Sequence, residues 1–442
     1  MATKSASETG RGAIAPSSPR GDPDALRLDL ANRFREVRCR SVWLADPLSP
    51  EDCQVQSMAD ASPIKWHLAH SAWFFETFLV VPSLGESAAF HPRFRYLFNS
   101  YYNAVGDRTP RSQRGLMSRP TLDEIKDYRR HVDARFRDLL DTIEDPDLFE
   151  RLPVIELGLN HEQQHQELML TDIKHVFGLN PMRPTYRPPL RPQTKGDASP
   201  LDWREFDGGI VEAGHEGAGF SFDNEGPRHR TLLEPFRLAS RPVNCGEYLA
   251  FIDDRGYEQP EFWLSEGWAT VQNQGWKAPL YWELEGARWS VRTLTGARPI
   301  DPAEPVCHVS YYEADAFARW AGHRLPGEFE WESAAKARAI SPEANLLEEG
   351  RFHPTAFVGR DSLASLFGDV WEWTRSAYLP YPGSKPTEGA LGEYNGKFMC
   401  NQFVLRGGSC ATPRSHLRAT YRNFFPPDAR WQFSGIRMAS DA

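Results

Sequence analysis

The chain has 442 residues, of which 40% are hydrophobic and 12% aromatic, and its formal net charge is -9. That length predicts two or more domains with real cores. No basic block is present apart from scattered Arg, which excludes nucleic-acid binding as the main role, and no apolar run reaches the length of a membrane span.

Residues 1–22 are rich in Ser, Ala, Gly and Pro and lack an apolar stretch, so they read as a disordered tail rather than a signal peptide. The cytoplasm is the expected location. Residues 24–42 place Leu26, Leu28, Leu30, Phe34 and Val37 at helical spacing. Ser62-Pro63 predicts an N-cap and first helical position. The helix it opens, Ile64 to Glu76, has a wide apolar face (Leu68, Ala69, Trp73, Phe74, Phe75) that also carries His67 and His70. A histidine on such a face is a hydrogen-bonded core residue or a metal ligand, and His70 points toward the bundle interior.

Residues 91–119 predict a long loop in which aromatics and arginines interleave, among them Tyr101, Tyr102, Arg111 and Arg114. Composition alone leaves two readings equal: a contact for an anionic small molecule, or a loop packed by its aromatics with solvated arginines. Thr121-Leu122-Asp123-Glu124 is a capping box opening a helix to about Asp141. A fourth helix is expected from about Pro153 to Phe177, ended by Gly178 and Pro181.

That fourth helix carries His161-Glu162-Gln163-Gln164-His165-Gln166-Glu167. Residues four apart on a helix differ by about 40° of rotation, so His161 and His165 can share one metal ion. Glu167 lies about 160° from His165 and about 120° from His161, so it cannot easily join them, and a third ligand must come from another element. The phrase also fits H-E-x-x-H, the zinc metalloprotease helix with Glu162 as general base. A protease needs a further downstream ligand; His175, on the same helix, comes with no other protease signature. A four-helix bundle with an inward histidine pair is a familiar arrangement for a metal site.

Residues 181–200 hold six prolines and read as a stiff linker between a helical domain, 23–180, and a second domain, 201–442. The second domain predicts short strands, many Gly and Trp, and one or two convincing helices, the clearest from Glu313 to Ala321: an α+β domain. The six cysteines form no C-x-x-C pair, which points to a reducing compartment and away from a cysteine zinc site.

Five phrases in the second half carry a resemblance: Pro305-Val306-Cys307-His308-Val309-Ser310, Trp320 through Glu332, Gly368-Asp369-Val370-Trp371-Glu372-Trp373-Thr374, Arg406-Gly407-Gly408-Ser409 and Ser434-Gly435-Ile436-Arg437. Together they resemble the formylglycine-generating-enzyme (sulfatase-modifying-factor) domain, whose fold is related to C-type lectins. That family's cysteine pair is replaced here by Thr412 and Leu417, with Cys410 two residues early, so its copper chemistry is not expected. The first half resembles the DinB-like four-helix bundle. The fusion, from about residue 25 to 440, resembles the ergothioneine-biosynthesis sulfoxide synthase family.

The resemblance implies a non-haem iron enzyme with Fe(II) on His70, His161 and His165, and with Glu167 not a ligand. It implies a pocket for hercynine (trimethylhistidine) at Gln164, Asn423, Phe424 and Phe425. Tyr101, Tyr102, Arg111 and Arg114 match the branch that takes free cysteine; the tyrosines are the candidate proton carriers, the arginines the partners of the cysteine carboxylate. Ser71, after the ligand histidine, stands where some users of γ-glutamylcysteine have an acid. The implied substrates are hercynine, cysteine and O₂, and the implied product is hercynyl-cysteine sulfoxide. Within the family the rivals are γ-glutamylcysteine, a selenium donor, or unmethylated histidine; ovothiol-type enzymes usually add a methyltransferase domain. Outside it stands a binding protein that keeps the lectin-like fold, to which all three histidines would be needless.

Overall fold

The structure, a computed structural model, describes residues 22–192, 199–336, 338–357, 363–386 and 388–442. The expected tail therefore lies outside the described residues, apart from Asp22. Four long helices form the first domain: α1 (Pro23–Ala45), α2 (Ile64–Phe75), α3 (Leu122–Thr142) and α4 (Asp145–Leu179). Asp22 caps α1 and the Thr121–Glu124 capping box opens α3. A π-helical turn, Glu76–Val80, prolongs α2. Within the expected loop, Phe94–Leu97 and Arg111–Leu116 form short helical turns.

Two sequence expectations shift here. α4 starts at Asp145, two turns before Pro153, which sits inside the helix. The true start signal is Pro146 in the first turn with Asp145 and Asp147 beside it. Ser62 does not cap α2, whose first turn has no side-chain cap. Its hydroxyl instead accepts a hydrogen bond from Arg114 at 2.9 Å.

The bundle core is aromatic: Phe34 packs on Phe75 and Phe136 at 4.9 and 4.3 Å between centroids. Gly158 allows α4 to approach α2. A Cβ there would meet the rings of Phe75 and Phe74 at 2.9 and 3.0 Å, so any larger residue pushes apart the two helices that carry the histidines. Glu162, one residue past His161, accepts from Arg38 (2.9 Å) on α1, Arg129 (2.8 Å) on α3 and Ser41 (2.6 Å). That buried cage ties three helices together.

The second domain contains strands β1 (Trp203–Phe206), β2 (Gly209–Ala213), β3 (His229–Leu233), β4 (Phe236–Ala239), β5 (Trp282–Glu285), β6 (Arg288–Thr293), β7 (Gly296–Pro299), β8 (Trp371–Ala377), β9 (Phe403–Arg406), β10 (Asn423–Phe425), β11 (Ser434–Gly435) and β12 (Ala439–Asp441). The largest sheet runs β10-β9-β8-β11, and a second runs β1-β4-β12. Among the described residues, four α-helices accompany them: α5 (Cys245–Asp253), α6 (Ser265–Gln274), α7 (Tyr311–Trp320) and α8 (Glu328–Ala335). The sequence reading found one or two, because helices this short show barely two periods; the capping boxes Asn244–Glu247 and Ser310–Glu313 are the signals that mark α5 and α7.

The five phrases are largely buried charge pairs and turns. Glu372 pairs with Arg437 at 2.8 Å and accepts from Trp331 at 2.6 Å, and Arg406 pairs with Glu328 and Glu332, both at 3.0 Å. Gly407 has φ +103, and a Cβ there would lie 2.5 Å from the Leu366 carbonyl oxygen, a place no side chain fits.

The domains meet along α4. Glu167 accepts from Trp371 (2.8 Å), Ser409 (2.5 Å) and Thr412 (2.8 Å), and Gln163 donates to Ser415 (2.7 Å). The proline-rich segment straps both domains: the Tyr186 hydroxyl donates to the Leu44 carbonyl (2.6 Å), while its N–H donates to Leu294 (2.9 Å). Among the described residues, no helix is long and apolar enough to cross a membrane, and the six cysteines are all free thiols.

Candidate metal centre and active-site cavity

His70 from α2 and His161 and His165 from α4 converge, each offering a ring nitrogen, with these atoms all within 4.8 Å of one another. The Nε2 atoms of His161 and His165 are 3.1 Å apart. Hydrogen bonds on the far side of two rings decide where their protons sit. His70 Nδ1–H donates to the Phe98 carbonyl (2.6 Å), which leaves its buried Nε2 without a partner. Asp172 accepts from His67 Nε2–H at 3.0 Å; His67 Nδ1 then accepts from His165 Nδ1–H at 2.8 Å. Asp172 is itself held by the Ser62 N–H at 2.7 Å. The carboxylate–histidine–histidine relay thus turns an Nε2 lone pair of His165 inward, as outer partners of metal ligands do.

Burial pushes the pKa of all three histidines down, His161 to about 3, with His161 itself the next cause for His70 and His165. At neutral pH the rings are uncharged donors. An orphaned Nε2 on His70 and two Nε2 atoms facing one another at 3.1 Å are the signature of a site that fits a cation accepting nitrogen ligands.

Neither nearby glutamate completes the set. Glu162 is saturated by its arginine cage, so the general base of the H-E-x-x-H reading is not available. Glu167 is saturated at the domain seam, where its hydrogen bonds explain its place in the motif.

The centre opens on a cavity of about 660 Å³ between the two domains. Trp66, His161, Gln164 and His165 form one wall, and Tyr101, Arg111 and Arg114 a second. Tyr394, Tyr421, Asn423, Phe424 and Phe425 form the wall of the second domain. Tyr102 does not line it. It is fully buried and stacked behind Tyr101, ring centroids 4.9 Å apart.

Arg114 is buried, lies 3.4 Å over the Trp66 ring and donates to Ser62 and Ser100. Burial, then Arg111 and Arg108, push its pKa well below the usual guanidinium value. No carboxylate among the described residues pairs with it. A buried cation without an acid has donors free to receive an anion. Arg111 is half exposed at the mouth and donates to the Asp60 carbonyl.

Opposite, β10 pairs with β9 and stands Phe424 against Tyr378, centroids 4.1 Å apart. Asn423 accepts from the Phe424 N–H at 2.9 Å. Gln164 donates to Tyr421 (2.8 Å) and accepts from Tyr394. Ser71 does not face the cavity: it is buried, and accepts from Arg129 at 2.9 Å. An acid at that position would meet Arg129, so this residue carries no information on the thiol donor.

Sequence reasoning missed Tyr394 and the His67–Asp172 relay. The one local signal for the relay is the presence of His67 beside His70 on the same apolar helix.

Comparison with known proteins divides the chain as the structure does. The DinB superfamily matches residues 33–169; the sulfatase-modifying factor enzyme 1-like domain matches residues 206–352 and 351–442. A hercynine oxygenase of Mycolicibacterium thermoresistibile is 32% identical over 94% of this chain and 95% of its own. One of Mycobacterium tuberculosis is 33% identical over 93% and 98%. Ergothioneine biosynthesis protein 1 of Schizosaccharomyces pombe is 28% identical over 50% of this chain and 28% of its own. A helical bundle that gathers imidazoles, closed by a formylglycine-generating-enzyme-like domain, defines a metal-dependent oxidoreductase. With near-complete coverage at this identity, the chain belongs to the hercynine oxygenase family.

Proposed function

We propose that this enzyme is an Fe(II)-dependent sulfoxide synthase that joins the sulfur of cysteine to the imidazole C2 of hercynine, with O₂ as oxidant. The S–H and C–H bonds are lost, a C–S bond and an S=O bond form, and the second oxygen atom leaves as water. The observation that carries this reading is the cavity itself: three inward imidazoles flanked by an unpaired buried arginine on one side and aromatic rings on the other.

Fe(II) would be held by His70, His161 and His165 and would supply the redox chemistry with O₂. The residues do the rest. Arg114, with Arg111 at the mouth, binds the carboxylate of cysteine and so orients its sulfur. Phe424 and Phe425 face the trimethylammonium group, a contact worth roughly 0.5–2 kcal/mol. Asn423 and Gln164 place the rest of hercynine. Tyr101, whose pKa burial raises, remains a protonated phenol and serves as proton donor; Tyr102 braces it from behind. The cytoplasm is the proposed location.

The test is mass spectrometry of the full chain incubated with Fe(II), hercynine, cysteine and O₂. The expected product has the mass of both substrates less two hydrogens plus one oxygen, with one O₂ consumed per turnover. Product from γ-glutamylcysteine or histidine alone would keep the reaction class and change the substrate. No product from any pair, with iron bound, would overturn the reading.

A further inference from the structure

Five side chains run in single file from the cavity to the backbone of α4. The Tyr394 hydroxyl donates to Gln164 Oε1, and Gln164 Nε2 meets the Tyr421 hydroxyl at 2.8 Å. That hydroxyl lies 3.1 Å from His416 Nε2, and His416 Nδ1 lies 3.0 Å from Asn160 Oδ1. Asn160 Nδ2 ends the file 2.9 Å from the backbone carbonyl of Glu156.

The last member fixes all the others. A carbonyl has no proton, so Asn160 must turn its NH₂ toward Glu156 and its Oδ1 toward His416. His416 is buried, and burial followed by Arg418 pushes its pKa well below the usual value, so the ring is neutral. Its one proton must sit on Nδ1, leaving a lone pair at Nε2. Tyr421 must then donate to His416 and accept from Gln164. Gln164 is left with Oε1 toward Tyr394 and accepts a hydrogen bond from that hydroxyl. The opposite polarity would set the oxygens of Asn160 and Glu156 against each other at 2.9 Å.

We propose that His416 and Asn160 are positioning residues that set the hydrogen-bond polarity of the cavity. Through Tyr421 they make Gln164 and Tyr394 present oxygen lone pairs, which select a substrate ring that brings an N–H. The Tyr394 ring lies 5.8 Å from that of His161, so these acceptors stand beside the metal centre. Both phenols of this file have their protons committed, which leaves proton donation to Tyr101, the other tyrosine that lines the cavity. The substrate part of the inference rests on the reading of the ring as hercynine.

Two measurements on the full chain loaded with diamagnetic Zn(II) test it. In long-range ¹H–¹⁵N spectra of histidine-labelled protein, His416 should be the Nδ1–H tautomer, with its signal assigned by loss in His416→Gln. In Asn160→Leu it should move to Nε2–H. An Nε2–H ring in the parent protein overturns the polarity. Calorimetric binding of hercynine and of its ring-N-methylated analogue then reads selectivity. The parent should disfavour the analogue by about tenfold or more, the scale of one lost hydrogen bond. In His416→Gln, which keeps size and bonding but not a fixed polarity, that ratio should shrink to about threefold or less. In Asn160→Asp the second carboxyl oxygen faces the Glu156 carbonyl and carries a proton to donate there, so the acceptor toward His416 is kept and the parent ratio should be retained, which shows that the site tolerates change. An unchanged ratio in His416→Gln overturns the positioning role. If the tautomer is as expected and neither ligand binds the parent protein, the substrate reading falls and the relay stands.

Discussion

The two faces of α4 hold the same side chain in opposite ways. Toward the bundle, Glu162 sits among Arg38, Arg129 and Ser41. Burial alone would raise its pKa, but the two guanidinium groups outweigh burial and hold it at about 2. Toward the second domain, Glu167 has only neutral donors, Trp371, Ser409 and Thr412, and burial raises its pKa. One face is bolted by charge, the other is fitted by hydrogen bonds. In both, the carboxylate oxygens are spoken for, which keeps the centre purely imidazole although two acids flank its ligands in sequence.

The comparison can be broken at several points. The largest effect is expected at the centre between the faces: His165→Ala should lose both bound metal and turnover, read by metal analysis, and one metal per chain in that variant would refute the ligand set. Next, Glu162→Gln leaves two buried guanidinium groups short of a counter-charge and should cost about 3–5 kcal/mol in urea unfolding. Its pH dependence has a definite sign. The folded pKa is below the usual 4.5, so the stabilisation is full above that value and fades as pH falls toward about 2. It should amount to about 3 kcal/mol, and Glu162→Gln should flatten the acid limb in that window.

Arg114 is a third case, a buried charge with no acid at all. Arg114→Leu should raise the KM for cysteine by about a hundredfold, the scale of a charged hydrogen-bonded pair, and leave the KM for hercynine unchanged. Phe424→Ala should weaken hercynine by about 2–30-fold and histidine far less, as a cation–π contact requires; equal losses would remove that role. The smallest effect belongs to Glu167→Gln, within about 1 kcal/mol, because an amide still accepts from Trp371 and Ser409. Losses as large as those of Glu162→Gln would erase the contrast between the faces.

Local periodicity explains what could be read in advance. Histidines four apart on an apolar helix, and a glutamate too far round the helix to join them, follow from 3.6 residues per turn, and the structure shows His161, His165 and Glu167 in those relations. The apolar face of α2 likewise placed His70 inward. Contacts between distant segments left no such trace. Nothing near residue 160 announces His416, and Tyr394 lies in a stretch of short turns without periodicity. Ser62 read as a cap because the Ser-Pro signal is local, while its actual partner, Arg114, arrives from a loop 52 residues away. The cage around Glu162 was invisible for the same reason: Arg38 and Arg129 come from other helices.

Trp66 is held between a cavity residue and a buried histidine of the metal centre, with the Arg114 guanidinium 3.4 Å over its ring and the His70 ring stacked against it at 4.5 Å. Arg114 is near enough for its charge to lower the pKa of both His70 and His165, and the same charge opposes a cation on those nitrogens. An anion seated on Arg114 cancels that repulsion. On the proposed function, a donor carboxylate on Arg114 and a metal on the imidazoles would be heterotropic ligands of one another, each tightening the other by the same factor, as linkage demands.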